Sequence, residues 1–172
     1  GDAVWIGGFV LALGSIVYPP WRALVARLLG ELSDRQLPVP APVAARYRRA
    51  GPFYRAELIT ARLPECETLA ERWLAGRATP ADWRAVGACL RRFHDAGAQH
   101  ADLNARNIML GRGGEVWLLD FDRGRLRARG NWPEAVLARL ERSLAKLARG
   151  APGAPDWQAG MRLLRAAHAG LA

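Results

Sequence analysis

Between Trp21 and Gln36, apolar residues fall at Leu24, Leu28, Leu29 and Leu32, the three-and-four spacing of one helix face. Leu37-Pro38-Val39-Pro40-Ala41-Pro42 must end that helix, because a residue before proline is pushed toward extended backbone. Val43 to Tyr47 and Phe53 to Thr60 read as strands joined by a turn at Ala50-Gly51-Pro52. Thr68 to Leu74 reads as a short helix in which Thr68 and Glu71 have the spacing of a capping box. A longer helix follows Thr79-Pro80, from about Ala81 to Ala96, with Trp83, Val86, Leu90 and Phe93 facing inward and Gly97 as its stop. Two apolar runs, Ile108–Leu110 and Val116–Leu119, flank Gly111-Arg112-Gly113-Gly114 and predict a hairpin. Helices from about Pro133 to Arg149 and from Asp156 to Ala169 close the chain. Strands lead, a hairpin interrupts, and helices dominate the second half, with no internal repeat.

The stretch from Ala3 to Trp21 carries no charge. A membrane span needs about 20 apolar residues, so its length is marginal, and Gly7, Gly8 and Gly14 interrupt it. Two readings remain open: a span or anchor ending at Tyr18-Pro19-Pro20-Trp21, or two short buried strands, Val4–Ile6 and Phe9–Leu13. It begins Gly-Asp and so lacks the basic start of a secretory signal.

Composition narrows the class. The 172 residues are 51% hydrophobic and 24% charged, which excludes a disordered chain. Two cysteines, Cys66 and Cys89, and three scattered histidines count against a disulfide scaffold or a structural zinc site. Cys66 reads as a loop thiol and Cys89 as a small buried apolar residue, in a reducing compartment. The net charge is +9, from 24 arginines and one lysine against 16 acids. The arginines are spread along the chain without a basic tail or aromatic interleaving, which counts against nucleic acid and leaves an anionic membrane surface as the favoured partner.

The chemistry concentrates in His100-Ala101-Asp102-Leu103-Asn104-Ala105-Arg106-Asn107 and in Asp120-Phe121-Asp122 after the second hairpin strand. A loop between a helix and a hairpin can turn Asp102, Asn107 and Asp120 into one small volume. Mg²⁺ takes oxygen ligands and keeps waters, so one carboxylate and one amide suffice beside substrate phosphates. Asp120 and Asn107 would hold metal, and Asp102 would accept the proton of an attacking hydroxyl. His100 would brace the loop. His94 reads as a partner for the end of its helix and His168 as a surface residue.

These residues carry a resemblance. H-x-D-L-x-x-x-N followed by D-F-x after a hairpin is similar to the catalytic-loop and metal-binding pattern of the protein-kinase-like superfamily. The finer string HADLNARNIML resembles the lipopolysaccharide kinases, and among them those acting on 3-deoxy-D-manno-octulosonic acid (Kdo). Leu37 to Ala44 and Tyr54 to Thr60 look similar too, and the resemblance covers roughly residues 27 to 149.

The resemblance implies an α+β, protein-kinase-like fold with a reduced or truncated N-terminal β lobe, residues 1–60, and an α-rich C-terminal lobe, residues 61–172. It implies ATP and Mg²⁺ as cofactors, and phosphorylation of the Kdo 4-hydroxyl on a lipid A precursor at the cytoplasmic face of a bacterial inner membrane. It places the inter-lobe hinge at Glu57 to Arg62, where the backbone of Glu57 and Ile59 would meet adenine. No A-P-E segment follows Asp122, and about ten residues separate it from the next helix, so a peptide acceptor or an obligate protein partner is not expected. The chain departs from the pattern in its first third. Its one lysine, Lys146, lies in a C-terminal helix rather than on a strand, Gly7-Gly8 makes no glycine-rich loop, and Glu31 sits near the end of its helix. A catalytically impaired relative and an aminoglycoside-type phosphotransferase therefore stand as alternatives, and the start at Gly1-Asp2 favours truncation.

Overall fold

The computed structural model describes residues 3–6, 21–50, 53–61, 63 and 65–170. The chain divides into two compact units, Gly1–Leu63 and Pro64–Ala172. Mixed α+β make-up is what the sequence patterning leads one to expect, with strands concentrated early and helices late.

In the first unit, β1 (Ala3–Ile6), β2 (Pro42–Ala50) and β3 (Phe53–Ala61) form an antiparallel sheet in the order β1-β3-β2. Val4 pairs with Thr60 and Trp5 with Ile59 on one side of β3, and Arg46 pairs with Glu57 on the other. The register shifts between Pro42 and Ala44, where proline has no N–H to give the ladder. Helix α1 (Trp21–Asp34) lies against β2 and β3 and buries Val25, Leu29 and Leu32. Of the expected stripe, Leu29 and Leu32 are buried and Leu28 is half-buried. β2 also runs on to Ala50, through arginines that hydrophobic alternation does not mark as strand. Of the uncharged N-terminal stretch, only Ala3–Ile6 and Trp21 lie among the described residues, so Phe9–Leu13 and most of the candidate span lie outside them. The turn residues Gly51 and Pro52 also lie outside. Among the described residues, no helix is long and apolar enough to cross a membrane.

The second unit carries the helices. In α2 (Leu69–Leu74) the Thr68 hydroxyl accepts from the Glu71 N–H at 3.0 Å while the Thr68 N–H donates to Glu71 at 2.8 Å, the expected capping box. Thr79 and Asp82 repeat the device at the start of α3 (Pro80–Asp95), with Pro80 in the first turn, where a missing N–H costs nothing. α3 buries Trp83, Val86, Leu90 and Phe93, and ends before Gly97, whose φ of +74° suits glycine. The hairpin β6 (Ile108–Leu110) and β7 (Val116–Leu118) joins the two-residue strand β4 (Glu67–Thr68) in the order β4-β6-β7. Strands β5 (Ala98–Gln99) and β8 (Arg125–Leu126) pair with each other. β4, β5 and β8 are too short for any periodicity to show in the sequence. Helix α4 (Trp132–Arg149) buries Val136, Leu137, Leu140 and Leu144. Helix α5 (Trp157–Ala169), capped by Asp156, packs along α3. That approach is close because each helix offers a glycine. A Cβ at Gly87 would strike the Leu164 carbonyl, and one at Gly160 would strike the Trp83 indole.

Candidate active site

The segment between β5 and β6 has no regular structure, so its shape is set by hydrogen bonds and by burial of Leu103 and Ala105, both fully buried. Ala105 is clamped at both polar groups. Its N–H donates to the Ser143 hydroxyl on α4 at 3.2 Å, and its carbonyl accepts from the Ala70 N–H on α2 at 3.0 Å. Asn104 folds the turn between them, donating to the Asp102 carbonyl at 3.1 Å and accepting from the Arg106 N–H at 2.9 Å.

His100 joins this loop to the end of β7. It is 2% exposed. Its Nδ1 accepts from the Asp102 N–H at 3.3 Å, so Nε2 carries the proton and donates to the Leu119 carbonyl at 2.7 Å. Burial pulls the His100 ring below the usual imidazole range, against the opposing pull of the Leu119 carbonyl and of the Asp120 and Asp102 carboxylates. The bracing role expected for His100 agrees with these contacts. Its ring also lies 4.6 Å from that of Phe121, which stacks on Phe93 of α3 at 5.6 Å.

Asn107 completes the connection. Its backbone carbonyl accepts from the Leu119 N–H at 2.8 Å, and its side-chain amide donates to the Asp102 carbonyl at 3.4 Å. These bonds tie Asp102 and Asn107 to Leu119, the residue before Asp120, in one hydrogen-bonded knot. Asp120 holds a φ of +61°, a left-handed conformation that aspartate tolerates better than most residues. It is exposed at the end of β7, where the run Leu118-Leu119 favours a buried acid, because the left-handed turn swings it out of the strand. Neither the Asn107 Oδ1 nor the Asp120 carboxylate has a hydrogen-bond or ion-pair partner among the described residues. Both are hard oxygen donors of the kind that suits Mg²⁺ together with phosphate oxygens and water. Among the described residues no group of three or more His, Cys, Asp or Glu forms a ready-made metal cage.

The Asp102 carboxylate is ion-paired with Arg139 of α4. Spacing could not reveal this partner, because which face of α4 meets the loop depends on the packing of Val136, Leu140 and Leu144. Glu57 and Ile59 lie on β3, paired with Arg46 and with Trp5 and Ala44. Their side chains are outside the described set. Glu31 of α1 pairs with Arg35 at 2.8 Å. His168 is a correction to the expectation of a surface residue. Its Nε2 lies 2.8 Å from His94 Nδ1, and His94 also meets the edge of Trp132. Cys89 is buried, as its surroundings in α3 led one to expect, and burial pushes its thiol up to about 12.

Residues 25–163 match the sequence profile of the Lipopolysaccharide kinase (Kdo/WaaP) family. The chain belongs to that family. Lipopolysaccharide kinases similar to it include a 3-deoxy-D-manno-octulosonic acid kinase of Xanthomonas axonopodis pv. citri, 53% identical over 123 residues, which are 70% of this chain and 49% of the relative. A second, from Stenotrophomonas maltophilia, is 46% identical over 144 residues, 83% of this chain and 57% of the relative. The chain spans about half the length of the curated lipopolysaccharide kinases it matches. Among solved structures, that of the yeast RNA Pol II CTD kinase CTDK-1 complex aligns with 64% of this chain and 36% of its own, at 14% identity and a TM-score of 0.47.

Proposed function

We propose that this chain transfers the γ-phosphoryl group of ATP to the 4-hydroxyl of the Kdo sugar on a lipid A precursor, in assembly of the lipopolysaccharide core. The observation that carries this reading is the knot joining Asp102, Asn107 and Leu119–Asp120, with an amide oxygen and a carboxylate left unpartnered at its edge. In this reading Asp102 accepts the hydroxyl proton while the new O–P bond forms and the bond to ADP breaks. Arg139 is a positioning residue that fixes the direction of the Asp102 carboxylate. Asn107 and Asp120 supply oxygens for Mg²⁺, which when bound offsets charge on the phosphates. The backbone of Glu57 and Ile59 on β3 would meet the adenine. The net charge of +9 supports peripheral attachment to anionic lipid at the cytoplasmic face of a bacterial inner membrane.

The test is transfer of label from γ-labelled ATP. Label on Kdo-lipid A and none on an aminoglycoside supports the proposal; the reverse pattern replaces it with the aminoglycoside-type reading. A second reading, nucleotide binding without transfer, is favoured by one observation: the single lysine, Lys146, lies on α4 rather than on a strand. A Mg²⁺-dependent rise in Tm on adding ATP, without label transfer, would favour it.

A further inference from the structure

Beside Asp102 the second unit opens into a cavity of about 720 Å³, lined by Asp102, Arg106, Arg139, Arg142, Ser143 and Lys146 among others. Four cations face one carboxylate. Arg139 is engaged with that carboxylate, and Arg106 lies within electrostatic reach of Glu71. Arg142 and Lys146 have no ion pair or hydrogen bond among the described residues.

The spacing of Arg139, Arg142 and Lys146 puts all three on one face of α4, and Ser143 on the same face bonds the Asp102 loop. Like charges three and four apart on a helix repel each other. The helix dipole favours cations in the last turn, which accounts for Arg149 and helps Lys146, but not for Arg139 and Arg142 earlier in the helix. An anion in the cavity would offset that repulsion. Arginine forks match carboxylate and phosphate oxygens, and lysine supplies a point charge.

We propose that Arg142 and Lys146 form an oxyanion subsite that grips one carboxylate or phosphate group of the acceptor and so sets its hydroxyl against Asp102. This deepens the proposed kinase reading and rests on it for the identity of the ligand. It makes Arg142 and Lys146 specificity-determining residues: an acceptor lacking the anion would lose affinity rather than maximal rate.

The single lysine gives a direct probe. Reductive methylation with a ¹³C label keeps the charge and marks only Lys146 and the N-terminal amine, so the Lys146 methyl signal can be followed by NMR in the 172-residue chain. The probes are free 3-deoxy-D-manno-octulosonic acid, its methyl ester and inorganic phosphate. A saturable shift with the acid but not the ester identifies a carboxylate as the occupant. A shift with phosphate alone identifies a phosphate group. Either supports the subsite, and Arg142→Gln should then weaken the binding by about tenfold or more, the loss expected for a charge-assisted fork. Equal shifts with acid and ester, no shift with any probe, or unchanged binding in Arg142→Gln overturns it. If the shift is present but no acceptor is phosphorylated, the subsite stands and the kinase reading falls. If Kdo-lipid A is phosphorylated with the same KM by wild type and by the Arg142→Gln/Lys146→Met variant, the subsite falls and the kinase reading stands.

Discussion

At the scale of single residues, Asp120 shows a conflict between backbone comfort and chemistry. A non-glycine residue at a φ of +61° is strained, and such strain persists where the surroundings enforce it. Asp120→Gly is therefore expected to leave Tm equal or higher while abolishing the Mg²⁺-dependent Tm rise with ATP. A fall of several degrees in Tm would show that the carboxylate serves the fold instead. The roles proposed for Asp102, Asn107 and Asp120 rest on residue types at fixed separations, a relation carried by the sequence itself. The exposure of Asp120 was not legible there, because a single left-handed residue leaves no periodic trace. Nor was the pairing of Arg139 with Asp102, or that of His94 with His168, since both depend on how helices are rotated against distant neighbours.

At the scale of elements, the caps were readable and the joints between elements were not. Thr68 announces its helix through Glu71 three positions on, a purely local relation, and Thr79 and Asp82 stand in the same relation in the structure. Arg72 works at long range. It bonds Glu67 at 2.8 Å, Asp82 at 2.7 Å and the carbonyls of Leu110 and Gly111 at 3.1 and 3.0 Å, so it ties β4, α3 and the hairpin turn to α2. Its side chain is only 12% exposed. Removing one partner of such a network leaves acids and carbonyls unpaired, so Arg72→Ala should cost about 3–5 kcal/mol in a urea titration. Arg72→Lys should recover little of it, because an ammonium cannot span four acceptors in a plane. A loss below about 0.5 kcal/mol, the level of ordinary surface changes, would show that the network is ornamental. Gly87 and Gly160 lie inside α3 and α5, where glycine is unfavourable. The helix crossing explains them, and Gly160→Ala should destabilise by about 1–3 kcal/mol through overpacking against Trp83.

At the scale of the whole molecule, titration links the second unit to pH. Burial, with the neighbouring His168, lowers His94 to about 4, and burial together with Arg91 lowers His168. Asp95 opposes both shifts. Above the free-imidazole value of 6.5 neither state binds these protons. As pH falls below it, the unfolded chain takes up protons that the folded pair resists, so stability declines from pH 6.5 toward about 4. Thermal melts across that window should show Tm falling, and His94→Gln should flatten the fall. A variant whose slope matches wild type would assign the acid sensitivity to other groups, His100 first among them. The α+β class was legible because the helical stripes and the hairpin are local. No glycine- or serine-rich linker marks the division at Leu63, and the boundary expected after residue 60 came from the resemblance instead.

The central claim is that Asp102 serves the transfer step and not the binding of metal-bound nucleotide, and one comparison tests it. Single-turnover transfer from γ-labelled ATP to Kdo-lipid A should be measured for wild type and Asp102→Asn, with Mg²⁺·ATP affinity determined on the same samples. The account predicts equal affinity and a rate lower by about 10²–10⁴-fold in the variant, the span expected on losing a general base. Equal rates in the two proteins, or an affinity that falls along with the rate, would contradict it.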